Sequence, residues 1–246
     1  MLHGCTQNPD DFAAGTRMNE LARSQGVFVL YPAQSKQANP QGCWNWFKHS
    51  HQARGRGEAA LLADMTREVM ARHAVDTQRV YVAGLSAGGA MAAILGEAYP
   101  ELFAAVGVHS GLAAGAAKDL PSALAAMKSG AGTRGAAASG IPTIVFHGDA
   151  DATVHQRNGA EVMARSTGSQ SAADVESGTS AGGRGFTRSV HRAPDGSVRA
   201  EHWLVHGAPH AWSGGSGAGS YTDARGPDAS AEMLRFFLQA PRPQSL

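Results

Sequence analysis

The five residues Gly84-Leu85-Ser86-Ala87-Gly88 constrain this chain more than any other stretch. They join a β-branched and aromatic run, Val80-Tyr81-Val82-Ala83, to a small-residue segment with helical character over 87–99. A strand that turns so tightly into a helix needs glycine wherever neighbouring backbone comes close, because a Cβ would clash there. The turn lifts the Ser86 hydroxyl above the strand end and seats it at a helix N-terminus. Free N–H groups and the helix dipole at that point favour developing negative charge. On its own the pattern also describes a Gly-rich turn carrying a surface serine, so the remaining elements must decide.

Those elements alternate. Asn8-Pro9-Asp10-Asp11 has the cap, the proline and the first-turn acids of a helix start, and the helix is expected to run to just before Gly26. Residues 27–31 are a continuous apolar run ended by Pro32, as in a parallel strand covered on both faces. A long polar loop over 33–57 holds Gly42-Cys43-Trp44-Asn45-Trp46-Phe47 at its centre, and a helix is expected over 58–73, with Leu61, Leu62, Met65, Val69 and Met70 on one face. Further strands are expected over 104–109 and 141–146, and helices over 120–128 and 158–165. The Ser/Gly/Ala-rich residues 166–185 read as a flexible loop. A hairpin over 186–191 and 199–205 turns at Pro194-Asp195-Gly196, and a last helix covers 228–238. Strands alternating with helices predict one α/β domain over 1–246, a mostly parallel sheet with helices on both faces.

Composition narrows the function classes. Hydrophobic residues make up 43% of the 246, enough for a large core, and the net charge of +1 offers no field to attract nucleic acid or an anionic membrane. No apolar run approaches the roughly 18 residues needed to span a bilayer. The start is unusual: Met1-Leu2-His3-Gly4-Cys5-Thr6-Gln7 reads as the end of a strand and the loop after it. Buried strands run about five residues, so the sheet is expected to lack N-terminal strands, to be marginal in stability, and to gain from an upstream extension. A signal peptide would lie in that same upstream region.

Ligand sites in open α/β sheets lie beyond the carboxyl ends of the strands. His3-Gly4, Ser86, Asp151 and His210 each fall just past an expected strand. A serine hydroxyl needs a base to become a nucleophile, usually a histidine oriented by a buried carboxylate. The order Ser86, Asp151, His210 suits that arrangement. Asp149 competes for the acid's place and His206 for the base's, and either Asp could instead cap a turn. His210 lies in the loop beyond the last strand, free to reach Ser86. The N–H groups of Ala87 and Cys5 are the candidate oxyanion donors. Cys5 and Cys43 both sit in loops at this end. Paired, they would close a loop of roughly 40 residues, worth about 4 kcal/mol in the chain-entropy model; unpaired, they are two free thiols. Two cysteines without nearby histidine spacing make no metal site. If residues 44–46 are extended, Trp44 and Trp46 point the same way. They could then wall an apolar cleft beside Ser86, or simply pack in the core.

Together Leu2-His3-Gly4-Cys5-Thr6-Gln7, Gly42-Cys43-Trp44-Asn45-Trp46-Phe47, Gly84-Leu85-Ser86-Ala87-Gly88-Gly89, His147-Gly148-Asp149-Ala150-Asp151 and Pro209-His210-Ala211-Trp212 resemble the poly(3-hydroxybutyrate) depolymerase family of esterases, relatives of feruloyl and acetylxylan esterases. The resemblance runs from Met1 to about the final helix. It implies an α/β-hydrolase fold and ester hydrolysis without a cofactor, with Ser86 as nucleophile, Asp151 as acid and His210 as base. It also implies an extracellular or periplasmic location, in keeping with a Cys5–Cys43 bridge. Family members carry strands before the His-Gly-Cys loop, and this chain departs from them there. The expected substrate is a short-chain hydroxyalkanoate polyester, as soluble oligomers rather than a solid surface since one domain fills the chain. Feruloyl or acetyl esters of plant cell walls are the alternative, and a non-catalytic binding module on the same scaffold is an alternative of another class. Oligomeric state is not legible in the sequence.

Overall fold

A computed structural model describes residues 1–132, 139–168 and 173–240. Its main sheet has six strands: β1 (Tyr81–Leu85), β2 (Ala105–His109), β3 (Thr143–Gly148), β4 (Ala173–Thr179), β5 (Gly185–Arg192) and β6 (Val198–Val205). They lie in the order β1-β2-β3-β6-β5-β4. The first four in that order are parallel, and β5 and β4 continue antiparallel. The helices are α1 (Pro9–Thr16), α2 (Met18–Ser24), α3 (Gly57–Arg72), α4 (Ala87–Ala98), α5 (Leu120–Ser129), α6 (Arg157–Thr167) and α7 (Ala229–Gln239). A two-stranded ribbon, β7 (Trp212–Ser213) with β8 (Thr222–Asp223), stands apart from the main sheet.

Both faces of the parallel strands are covered because successive side chains point to opposite faces. Val82, Val106, Val108 and Val145 join a core with α3, α4 and α6. Their neighbours Ala83, Ala105, Ile144 and Phe146 join a second core with Phe12 of α1 and Met233, Phe236 and Phe237 of α7. This is the expected mostly parallel α/β-hydrolase sheet.

Four expectations change. The first helix is broken at Arg17, whose φ of 52° ends α1 and starts α2. Of residues 166–185, 169–172 lie outside the described residues, but Ala173–Thr179 is a strand. It is short of apolar residues, with Val175 the one large apolar side chain in it, so the sequence hides it. Antiparallel pairing to β5 and ion pairs such as Glu176–Arg188 at 2.9 Å hold it. Leu61 of α3, expected on the buried face, is exposed, while Leu62 is buried.

Residues 27–31 do not form a strand. A strand persists through ladder pairing, and the chain beside this segment is Met1-Leu2. The Met1 ammonium donates to Leu30 O at 2.8 Å. On its other side Leu2 N–H donates to Ala83 O at 2.8 Å, and Leu85 N–H to Leu2 O at 3.1 Å. Beyond these two residues a cavity of about 470 Å³ continues between Val27–Leu30 and the start of β1, floored by Leu62, Val69 and Met70. The Met1 ammonium is buried at its end, and burial pushes its pKa down to about 5.

Candidate active site

Ser86 occupies the hinge between β1 and α4 with φ 57° and ψ −117°, a backbone conformation side-chain-bearing residues rarely adopt. The surroundings hold it there. A Cβ on Gly84 would stand 2.4 Å from the Gly88 carbonyl carbon, and one on Gly88 2.1 Å from Leu2 O. Those two glycines therefore let β1, α4 and the Met1-Leu2 backbone meet. Ser86 N–H donates to His109 O at 2.9 Å. Its side-chain hydroxyl has no hydrogen-bond partner among the described residues. Apo sites commonly leave such contacts open until substrate binds.

The strand order explains how distant residues converge. β1, β2, β3 and β6 end side by side, so Ser86, His109, the 149–151 loop and the loop carrying His210 share one edge. His210 Nδ1 lies 2.7 Å from Asp151 Oδ2. The other Asp151 oxygen accepts from Thr153 N–H at 2.9 Å and Val154 N–H at 2.8 Å. Burial works against charge on Asp151, but the hydrogen bond and charge of His210, with Val154 N–H, hold its carboxyl below the usual range.

The competitors pair with each other. Asp149 Oδ2 meets His206 Nδ1 at 2.9 Å, and its other oxygen accepts from Gly207 N–H at 2.6 Å. His206 Nε2 then faces the Thr187 hydroxyl at 3.0 Å on β5. That pair is solvent-exposed, with side chains 44% and 30% accessible, whereas those of His210 and Asp151 are 13% and 0%.

Two histidines outside the sequence assignment support the buried pair. Ser213 N–H donates to His109 Nε2 at 2.9 Å, which leaves the proton on Nδ1 to donate to Ser110 Oγ at 3.2 Å. The His109 ring stacks on Trp212, with centroids 5.0 Å apart, and so braces the strand after His210. His147 Nε2 donates to Val154 O at 2.8 Å and stands 3.6 Å from Asp151 Oδ2. Burial keeps both rings neutral, pushing His109 down to about 3 and lowering His147. His109 ends an apolar strand run that offered no pattern to single it out, and His147 entered the sequence reading only as the first residue of the His147–Asp151 motif.

The loop facing Ser86 is tied from several directions. A Cβ on Gly4 would come within 3.6 Å of the Ser86 Cβ. Cys5 is bonded to Cys43 with Cα atoms 4.2 Å apart, so the expected bridge joins this loop to the aromatic one. The Cys5 N–H has no acceptor among the described residues, and Ala87 N–H, at the first position of α4, has none within its helix. Trp44 and Trp46 are 2% and 6% exposed and pack with Leu2 and Ala59. Both indoles are buried in the core cluster, and Trp44 Nε1 donates to His3 O at 3.1 Å. Buried Glu58 of α3 holds the aromatic loop, accepting from Asn45 N–H at 2.6 Å and Gln34 Nε2 at 2.6 Å. An isolated Glu in a first turn reads as solvated, which is why sequence patterning passed it by.

Residues 1–184 match the family model described as Esterase PHB depolymerase. The chain belongs to this esterase family. It is 30% identical over 225 residues to "Poly(3-hydroxyalkanoate) depolymerase C" of Paucimonas lemoignei, covering 85% of this chain and 53% of that protein. It is 29% identical over 247 residues to "Poly(3-hydroxybutyrate) depolymerase" of Ralstonia pickettii, covering 91% and 50%. It thus spans about half the length of these relatives. A shorter match, 34% over 125 residues, joins it to "Feruloyl esterase B" of Neurospora crassa, covering 49% and 42%. Among solved structures, "Acetyl xylan esterase from Aspergillus awamori" shares the family's fold with a TM-score of 0.73 at 20% identity, covering 97% of this chain and 87% of that one. The chain therefore has the α/β-hydrolase fold of this family.

Proposed function

We propose that the protein hydrolyses carboxylic esters through Ser86, His210 and Asp151, acting on oligomers of short-chain hydroxyalkanoates. The observation that carries this is the buried His210–Asp151 contact of 2.7 Å, at the same sheet edge as the strained Ser86 elbow. His210 Nε2 takes the Ser86 proton as Oγ attacks the ester carbonyl. Asp151 holds the Nδ1 proton and stabilises the imidazolium. The N–H groups of Cys5 and Ala87 receive the oxyanion, aided by the N-terminus of α4. The alcohol leaves with the proton from His210, and a water activated by the same imidazole releases the acid from the acyl-enzyme. The hydroxyalkanoate assignment draws on the two depolymerase relatives, whose similarity extends over most of this chain. The Cys5–Cys43 bridge suits an oxidising location, extracellular or periplasmic.

A fluorophosphonate probe should label the wild type on Ser86 and leave Ser86→Ala unlabelled. Turnover by Ser86→Ala should drop to the roughly 10³–10⁴-fold over water that binding and an oxyanion hole supply. Labelling that survives Ser86→Ala would disprove the nucleophile. No labelling of folded wild type would point instead to a binding module. Feruloyl or acetyl esters of plant cell walls are the second candidate, favoured by the match to a feruloyl esterase over half the chain. Relative kcat/KM on hydroxybutyrate trimer, methyl ferulate and acetylated xylan separates the two.

A further inference from the structure

Trp44 and Trp46 are buried in the core, so an exposed aromatic side chain beside the site has to be sought elsewhere. Among the described residues the Phe, Tyr and Trp side chains left exposed are Phe28, at 62%, and Tyr221, at 47%. Phe28 borders the cavity beside β1. Tyr221 lies between the two loops of the candidate site. Its carbonyl accepts from Trp212 N–H at 2.7 Å, two residues beyond His210. Its hydroxyl lies 3.1 Å from Thr6 Oγ1, one residue beyond Cys5. Thr6 has one hydroxyl hydrogen, and it is donated to Cys5 O at 2.6 Å. Tyr221 is therefore the donor to Thr6.

The surrounding contacts show that this placement is imposed. Gln7 accepts from Gly4 N–H at 2.8 Å and donates to Ser220 O at 3.1 Å, so the residue before Tyr221 is fastened to the glycine against Ser86. Ser220 N–H and Oγ are both held by Asp11, at 2.9 and 2.6 Å. Tyr221 has φ 50° and Thr6 has φ 65°, both in the left-handed region. A non-glycine residue is strained there, and such outliers cluster at active sites and ligand clamps. About half of the Tyr221 side chain is left open to solvent in this strained position.

We infer that Tyr221 is a specificity-determining residue, whose ring is the wall on which the ester chain beyond the scissile bond packs. This rests on the ester-hydrolase proposal above. The Thr6 bond keeps the ring beside the oxyanion loop, so the substrate favoured is one with several atoms past the reacting carbonyl, such as a hydroxyalkanoate oligomer. An acetyl ester is too short to use the ring.

The test compares p-nitrophenyl acetate with a hydroxybutyrate trimer ester in the full chain. Tyr221→Ala should lower the trimer-to-acetate ratio of kcat/KM about tenfold, mainly through KM, the size of effect that apolar substrate contacts give. Tyr221→Phe keeps the ring and should hold that ratio within about twofold of wild type. Val175→Ala, at an exposed site on the edge strand, is the control and should leave the ratio unchanged. Equal losses on both esters, or an unchanged ratio in Tyr221→Ala, would overturn the proposal and leave Tyr221 as a strap between loops. Absence of turnover by wild type on either ester, with Ser86 unlabelled by fluorophosphonate, would instead overturn the ester-hydrolase proposal on which this one stands.

Discussion

The choice between two Asp–His pairs turns on burial at the level of single residues. Asp151 is enclosed, so its charge interacts with His210 through a medium of low dielectric. Asp149 and His206 face water, where an ion pair is worth roughly 0–1 kcal/mol. Asp151→Asn would remove the acceptor for the His210 Nδ1 proton and favour the wrong tautomer. It should lower kcat by up to roughly 10⁴-fold while leaving the fold intact. Asp149→Asn should change kcat by less than about threefold. Steady-state kinetics of the two variants on one soluble ester decides the matter. A large loss in Asp149→Asn with a small one in Asp151→Asn would reverse the assignment.

Strands carry the next set of consequences, because each brings its end residue to the same edge. β2 delivers His109 into a closed site where burial pushes its pKa down to about 3, and β6 holds His202 at about 4. Unfolded, both would take a proton near the usual value of about 6.5. Below that value the unfolded chain binds protons the folded one refuses, so stability is lost as pH falls toward the folded values. The buried Met1 ammonium, lowered to about 5, acts in the same direction at higher pH. Asp151 adds a loss at the acid end: its folded pKa is depressed, so its contribution is present above the ordinary carboxylate value and disappears as pH drops through the folded one. Thermal unfolding should therefore show a Tm that declines steadily from about pH 7 to pH 4. A flatter decline is expected for His202→Gln, and a wild-type Tm constant over that range would contradict the account.

At the scale of the whole molecule, the cavity between Val27–Leu30 and β1 departs from close packing. It is one strand wide, since Met1-Leu2 bonds to both of its walls. An extended apolar segment ahead of Met1 would fill it, add ladder bonds, and remove the buried ammonium. Burying one Val side chain is worth about 1.5–3 kcal/mol. A domain of this size gains roughly 2–4 °C in Tm per kcal/mol. Four Val, Ile or Thr residues fused before Met1 should thus raise Tm by at least about 5 °C, whereas four Gly or Ser residues should not. Equal melting temperatures for the two fusions would show that the cavity does not accept a strand.

What the sequence determined by itself was whatever depends on local pattern. The strand–glycine–serine–glycine–helix turn, the apolar runs of β2 and β3, the hairpin and the placement of Ser86, Asp151 and His210 beyond strand ends were all legible. Each rests on steric limits or side-chain periodicity within a few residues. Only the tertiary structure decided the rest, because those outcomes depend on partners far along the chain. Residues 27–31 have strand composition but no adjacent ladder, while 173–179 have loop composition yet pair with β5. Trp44 and Trp46 are both buried in the core cluster that also holds Leu2 and Ala59. Asp149 and Asp151 are two residues apart with the same chemistry, and the fold encloses one while leaving the other in water. His109, Glu58 and Tyr221 are placed by contacts that no local pattern records.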